Sequence, residues 1–125
     1  MKVTDLINKA AIRAGIVAHD ESISESEAKD AFDNLNSVLA EITLQPLLTP
    51  SFKYPVTLSG VTGADGVKDE YLIDKLAIRM ASVWGVNPPA AVIQSANNLE
   101  RMIKRGNTRP IKHKYRRDYW IDDAT

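Results

Sequence analysis

The stretch Ser24-Glu25-Ser26-Glu27-Ala28-Lys29-Asp30-Ala31-Phe32-Asp33-Asn34-Leu35-Asn36-Ser37-Val38-Leu39-Ala40-Glu41-Ile42 decides the fold. Ser24 and Glu27 stand three apart, the spacing at which a serine hydroxyl and a glutamate carboxylate satisfy each other's backbone amides at a helix start. Glu25 adds negative charge where the helix dipole is positive. From there Ala28, Ala31, Phe32, Leu35, Val38, Leu39 and Ile42 recur with the helical period. The spacing predicts a helix over 25–44, about 30 Å long at 1.5 Å per residue. Glu25, Glu27, Asp30 and Asp33 then read as capping and solvated-face acids rather than as a carboxylate pair for catalysis.

The same pattern repeats on both sides. Upstream, Leu6, Ile7, Ala10, Ala11 and Ala14 predict a helix over 3–14, with Thr4 as cap and Gly15 as its stop. Its alanine-rich face favours close approach of another helix. Downstream, Asp69 is read as the cap of a third helix that runs to about Trp84 and is ended by Gly85. Leu72, Leu76, Met80 and Val83 form one stripe, with Ile73, Ala77 and Trp84 beside it, so this helix is expected to be the most buried. Pro88 and Pro89 open a fourth, where a missing N–H costs nothing. Its core face is read as Val92, Ile93, Ala96, Leu99, Met102 and Ile103, and Gly106-Asn107 as its end.

Between the second and third helices, residues 45–66 contain Pro46, Pro50 and Pro55 and the turn-rich run Gly60-Val61-Thr62-Gly63-Ala64-Asp65-Gly66. Residues 56–58 are read as a short strand, and Asp65-Gly66 as a tight turn. The fold class predicted is all-α: a four-helix bundle-like body over 1–106, with a short β or irregular excursion and an extended arm over 107–125.

Composition sets outer limits. At 125 residues the chain supports one domain with one core, and its 44% apolar and 26% charged residues are those of a globular protein. Without cysteine there is neither disulfide nor thiolate metal site. No apolar run approaches the roughly 18 residues that cross a bilayer, and the opening residues lack a secretory h-region, so no membrane partner and a cytoplasmic origin are expected. His19 and His113 have no neighbouring ligand cluster, and Gly60, Gly63 and Gly66 are not followed by the Lys-Ser or Lys-Thr of a phosphate loop. Neither cofactor nor catalytic constellation is expected.

The distinctive feature is charge polarity. Net charge is zero, yet residues 1–50 hold eight acids and four bases, while 101–117 hold eight bases and no acid. Arg101, Lys104 and Arg105 complement the dipole at a helix end. The remainder, Arg109, Lys112, Lys114, Arg116 and Arg117, stand with Ile111, Tyr115, Tyr119, Trp120 and Ile121 in a segment without helical period. Nineteen residues extended reach at most about 65 Å, well beyond a body whose radius is roughly 14 Å. These ten residues are read as the partner-binding site. Interleaved bases and aromatics also fit a second reading, a small nucleic-acid-binding protein that uses this arm to contact phosphates and stack on bases.

Three stretches carry a resemblance. They are Leu6-Ile7-Asn8-Lys9-Ala10-Ala11-Ile12-Arg13-Ala14-Gly15-Ile16, then Ala31 through Leu35-Asn36 and Leu39 to Glu41, and finally Leu76-Ala77-Ile78-Arg79-Met80-Ala81 with Gly85-Val86, Pro88, Ile103-Lys104-Arg105 and Thr108-Arg109-Pro110. In order and spacing the chain resembles, over about residues 4–110, the head-completion or head-to-tail adaptor proteins of tailed bacteriophages, notably the tail accessory factor of short-tailed phages. The resemblance implies a virion structural protein at the head–tail junction, made in host cytoplasm. It implies a ring, typically of twelve copies, on the portal protein, extending the DNA channel and receiving a downstream tail protein. It makes 109–121 the docking arm and 45–66 a contact for neighbours or the next tail component, with non-specific DNA contact in the channel. Some members have been linked to cell-wall hydrolysis, but no residue here matches a catalytic motif. After Pro110 the chain departs from the glycine-rich tail expected of the family.

Overall fold

A computed structural model describes residues 1–18, 21, 23–64 and 66–108. Four helices account for most of them: α1 (Val3–Arg13), α2 (Glu25–Ile42), α3 (Val67–Val83) and α4 (Ala90–Asn107), with a short 3-10 turn at Thr49–Ser51. The fold is an all-α bundle. α3 is its axis, packed against α1, α2 and α4, while α1 and α2 also touch each other.

The reason lies in the width of α3's buried surface. Tyr71, Leu72, Ile73, Leu76, Ala77, Met80 and Ala81 are all buried, on both sides of the predicted stripe. Val83 is 59% exposed, so the stripe stops a turn early. Around α3, Val3, Leu6, Ile7, Ala10 and Ala11 close one side, and Ala31, Leu35, Val38, Leu39 and Ile42 another. α4 contributes least, through Val92, Ala96 and Ile103. Ile93 and Met102, read from the sequence as core, are 40% and 52% exposed. Among the described residues α4 packs chiefly against α3 and the 3-10 turn, so it has a narrow seam to bury rather than a wide face.

The capping box of α2 forms as its spacing requires: Glu27 N donates to Ser24 Oγ at 3.3 Å, and Ser24 N donates to Glu27 Oε1 at 3.1 Å. The other two predicted caps are corrected. Thr4 lies inside α1 and is exposed, and Lys2 holds the cap position without a side-chain bond. The excursion serves that end instead, because Val3 N donates to Gly60 O at 3.1 Å. Asp69 lies within the first turn of α3, where it is buried and accepts from Thr62 Oγ1 at 2.8 Å. The cap position falls to Gly66, whose φ of +54° suits a residue without Cβ. Gly15, at φ +79°, stops α1 as expected.

Two boundaries shift as well. α2 ends at Ile42 rather than 44, with Thr43 as its C-cap and a turn at Leu44 and Gln45 ahead of Pro46. α4 runs through Gly106 and Asn107, so the body extends past the predicted limit of 106.

The excursion contains no strand among its described residues. Residues 56–58 are not paired into a sheet, and the one bridge described there is antiparallel, between Lys2 and Val61. Asn36, on α2, takes the place of a partner strand: its Nδ2 donates to Val56 O at 3.3 Å, and its Oδ1 accepts from Val56 N at 3.1 Å. A single side-chain amide thus satisfies both backbone groups of the buried Val56. Asp65, half of the predicted turn, lies outside the described residues, as does His19.

Two variants test this packing. Asn36→Ala strands both backbone groups of Val56 and should cost about 1–3 kcal/mol in urea unfolding, with faster hydrogen exchange at the Val56 amide. Arg13→Met leaves the Asp74 carboxylate, which is 1% exposed, without its cationic partner. It should cost on the order of 3 kcal/mol, read from the same unfolding curves.

Candidate functional site

The partner-binding residues read from the sequence, Arg109, Ile111, Lys112, Lys114, Tyr115, Arg116, Arg117, Tyr119, Trp120 and Ile121, lie outside the described residues, as does His113. What the structure supplies is the point from which that segment departs. In the last turn of α4, Asn107 Nδ2 donates to both Leu47 O and Ser51 Oγ at 2.8 Å. Thr108 Oγ1 donates to Lys104 O at 2.8 Å, and Thr108 N to Arg105 O at 3.3 Å, which closes the helix end. Sequence reading assigned Asn107 to the arm. Its side chain instead pins the end of α4 to the 3-10 turn, so the arm's root is fixed to the body. A lone Asn after Gly reads as a helix stop, and no local signal announces a partner sixty residues away.

Beside this root is an open cleft of about 300 Å³ between α4, the start of α3 and the 3-10 turn. Val67 and Met102, 41% and 52% exposed, give it an apolar wall.

The bases of α4's last two turns are partly engaged. Arg101 bonds Asn98, and Lys104 Nζ lies 3.0 Å from Glu100 Oε2. Glu100 Oε1 in turn accepts from the hydroxyl of the fully buried Tyr71 at 2.7 Å. Burial, then the hydrogen bond to Glu100 and its negative charge, push the Tyr71 hydroxyl far above the ordinary tyrosine range. At Glu100, burial pulls upward, but the Tyr71 hydroxyl and Lys104 outweigh it and hold the carboxyl below its usual value. Arg105 is the exposed base nearest the arm.

Two other charged groups bridge helices. Arg13 Nη1 reaches Asp74 Oδ1 at 2.8 Å and Glu70 Oε1 at 3.0 Å, and Ser95 Oγ donates to Asp74 Oδ2 at 2.6 Å. Burial lowers the Arg13 pKa, but the bonds to Asp74 and Glu70 raise it further, so its charge is secure. Arg79 ties α3 to α2 through Glu41 at 2.6 Å and Asn34 at 3.2 Å. With both Asp74 oxygens bonded to protein, this cluster ties three helices together, and the half-exposed Glu70 borders an open cleft of about 340 Å³ beside it. Among the described residues no three His, Asp or Glu side chains gather as a metal site, and no helix is long and apolar enough to cross a membrane.

No protein-family model matches the chain, and no curated protein matches it.

The Tyr71–Glu100 pair predicts a pH dependence. A tyrosine whose folded pKa is raised contributes stability that is present below about pH 10, the unfolded value, and lost as pH rises above it. Glu100 runs the other way, contributing above about pH 4.3 and losing that contribution in acid. Tyr71→Phe should therefore unfold more easily than the parent at pH 7, while the difference narrows and then reverses in alkali. Urea midpoints of both chains across this range check it.

Proposed function

We propose that this chain is a non-enzymatic head-to-tail adaptor of a tailed bacteriophage, assembling as a ring on the portal protein, extending the DNA channel and receiving a downstream tail protein. The observation that carries the reading is a division of the chain. The core closes with residues 3–103, and α4 is anchored at Asn107. Five bases and three aromatics then follow in residues 109–121 of the sequence, after the last residue of the described core. A rigid body with a pinned exit and a basic, aromatic extension suits attachment to a larger template. The order of the three resembling stretches supports the same conclusion, and the helical body agrees with the fold they imply.

Tyr119, Trp120 and Ile121 would serve as anchors, since buried aromatics commonly dominate such interfaces. The bases of 109–117 would set encounter rate and orientation more than final affinity. Residues 45–66, held in shape by Asn36, offer the exposed side chains of Tyr54, Leu58 and Val61 to a neighbouring copy or tail component.

Truncation after Thr108 should leave helix content and unfolding cooperativity intact and abolish binding to purified portal rings, read as the mass of the complex. Retained binding would overturn the reading. Trp120→Ala in the full chain should weaken attachment by about thirtyfold, the loss of a hot-spot residue at roughly 2 kcal/mol. The nucleic-acid reading predicts instead a retained DNA complex whose affinity falls linearly on a log–log salt plot.

A further inference from the structure

An apolar depression lies over the first half of α2, away from the end of α4. It is an open groove of about 460 Å³ with Phe32 and Leu58 as floor, and Glu25, Ser26, Lys29 and Asp33 around it. Leu58 is 38% exposed, and Phe32 is half-buried, one side on the core and the other in the groove. α2 carries five acids, Glu25, Glu27, Asp30, Asp33 and Glu41, against the single base Lys29. Residues 109–117 carry five bases and no acid, with Tyr115 among them. Groove and segment are complementary in both respects: apolar floor to aromatic ring, acidic margin to flanking bases.

Geometry decides which copy's segment is meant. Asn107 is bonded to Leu47 and Ser51, just past the carboxyl end of α2. From Ile42 back to Phe32 is ten helical residues, about 15 Å. Seven residues from Thr108 to Tyr115 span up to about 24 Å when extended. The segment can therefore run along its own α2 and deliver Tyr115 to the groove. Contacts between exposed charges are individually weak. A short tether supplies an effective concentration on the order of millimolar, far above micromolar free chains. Such a contact is populated within one molecule and sparse between two.

We propose that in the free chain residues 112–117 seat on the molecule's own α2 groove, with Tyr115 over Phe32 and Leu58 and its neighbouring bases against Glu25 and Asp33. The contact does not depend on the portal reading. Were that reading right as well, the docked segment would have to leave this groove before it could be taken up elsewhere.

Carbodiimide coupling of the full chain at low salt tests the seat without a partner protein. The expected result is Lys114 joined to Asp33 in the monomer band, identified by mass spectrometry of peptides. Yield should fall several-fold near 1 M salt, where screening shortens to about 3 Å. It should fall several-fold with Leu58→Ser as well, while helix content stays unchanged. Coupling confined to a dimer band would make a second copy the occupant and overturn the proposal. Absence of coupling at low salt, or a yield indifferent to Leu58→Ser, would equally overturn it.

Discussion

The bundle depends on a buried carboxylate. Asp74 sits at 1% exposure in the middle of the most enclosed helix, where an unpaired charge would be prohibitive. Arg13 from α1 and Ser95 from α4 each take one of its oxygens. One residue of α3 therefore fixes the positions of two other helices. Apolar packing can tolerate small slides and rotations, because one aliphatic contact substitutes for another. A buried carboxylate with both oxygens assigned tolerates far less, so it specifies one arrangement among several of similar apolar burial. Arg79, reaching Asn34 and Glu41 from a more exposed position, ties α3 to α2 in the same way with less at stake.

The excursion solves a different problem. Twenty-odd residues rich in proline and glycine cannot form their own ladder, yet Val56 and Thr62 are buried and their backbone groups need partners. The partners come from outside the segment: Asn36 of α2 serves Val56, the carbonyl of Met1 ahead of α1 accepts from Thr62 N, and Asp69 of α3 accepts the Thr62 hydroxyl. The segment is held at separated points by α1, α2 and α3, and its apolar side chains between those points face outward. That arrangement keeps shape without a sheet, and it couples the surface of the excursion to the helices beneath it.

Much of this was legible in the sequence, and the limits were physical. The number, order and approximate ends of the helices followed from periodicity, proline and glycine. The capping box at Ser24 and Glu27 was readable because both partners are local. Thr4 and Asp69 were misread for the opposite reason. A serine, threonine or aspartate near a helix start is a cap only if nothing better competes, and here Gly60 supplies Val3 with a backbone acceptor from far along the chain and Thr62 supplies Asp69 with a hydroxyl seven residues upstream. Ile93 and Met102 fit the helical period but not the core, because period measures a face while burial depends on how many neighbours cover it. The strand over 56–58 failed through a substitution that pattern cannot show, a side-chain amide standing in for a strand. The residues chosen as the binding site lie in 109–121, where the structure describes nothing, so their reading still rests on charge and aromatic content alone.

The contrast between the two parts of the chain bears on how such a molecule can work. Within the described residues, Arg13, Arg79, Lys104 and Asn107 each bond a partner inside the protein. Every base used this way is withdrawn from recognition of anything else. The bases from Arg109 onward follow in sequence a helix end closed by Thr108, past Ile103, the last buried residue among those described. A chain of zero net charge thus carries a concentrated positive run at 109–117, because half of its sixteen acids fall in the first fifty residues and only Asp118, Asp122 and Asp123 follow those bases. Such separation costs little at physiological ionic strength, where the Debye length is about 8 Å and shorter than the body. It leaves any attraction of those bases short-ranged.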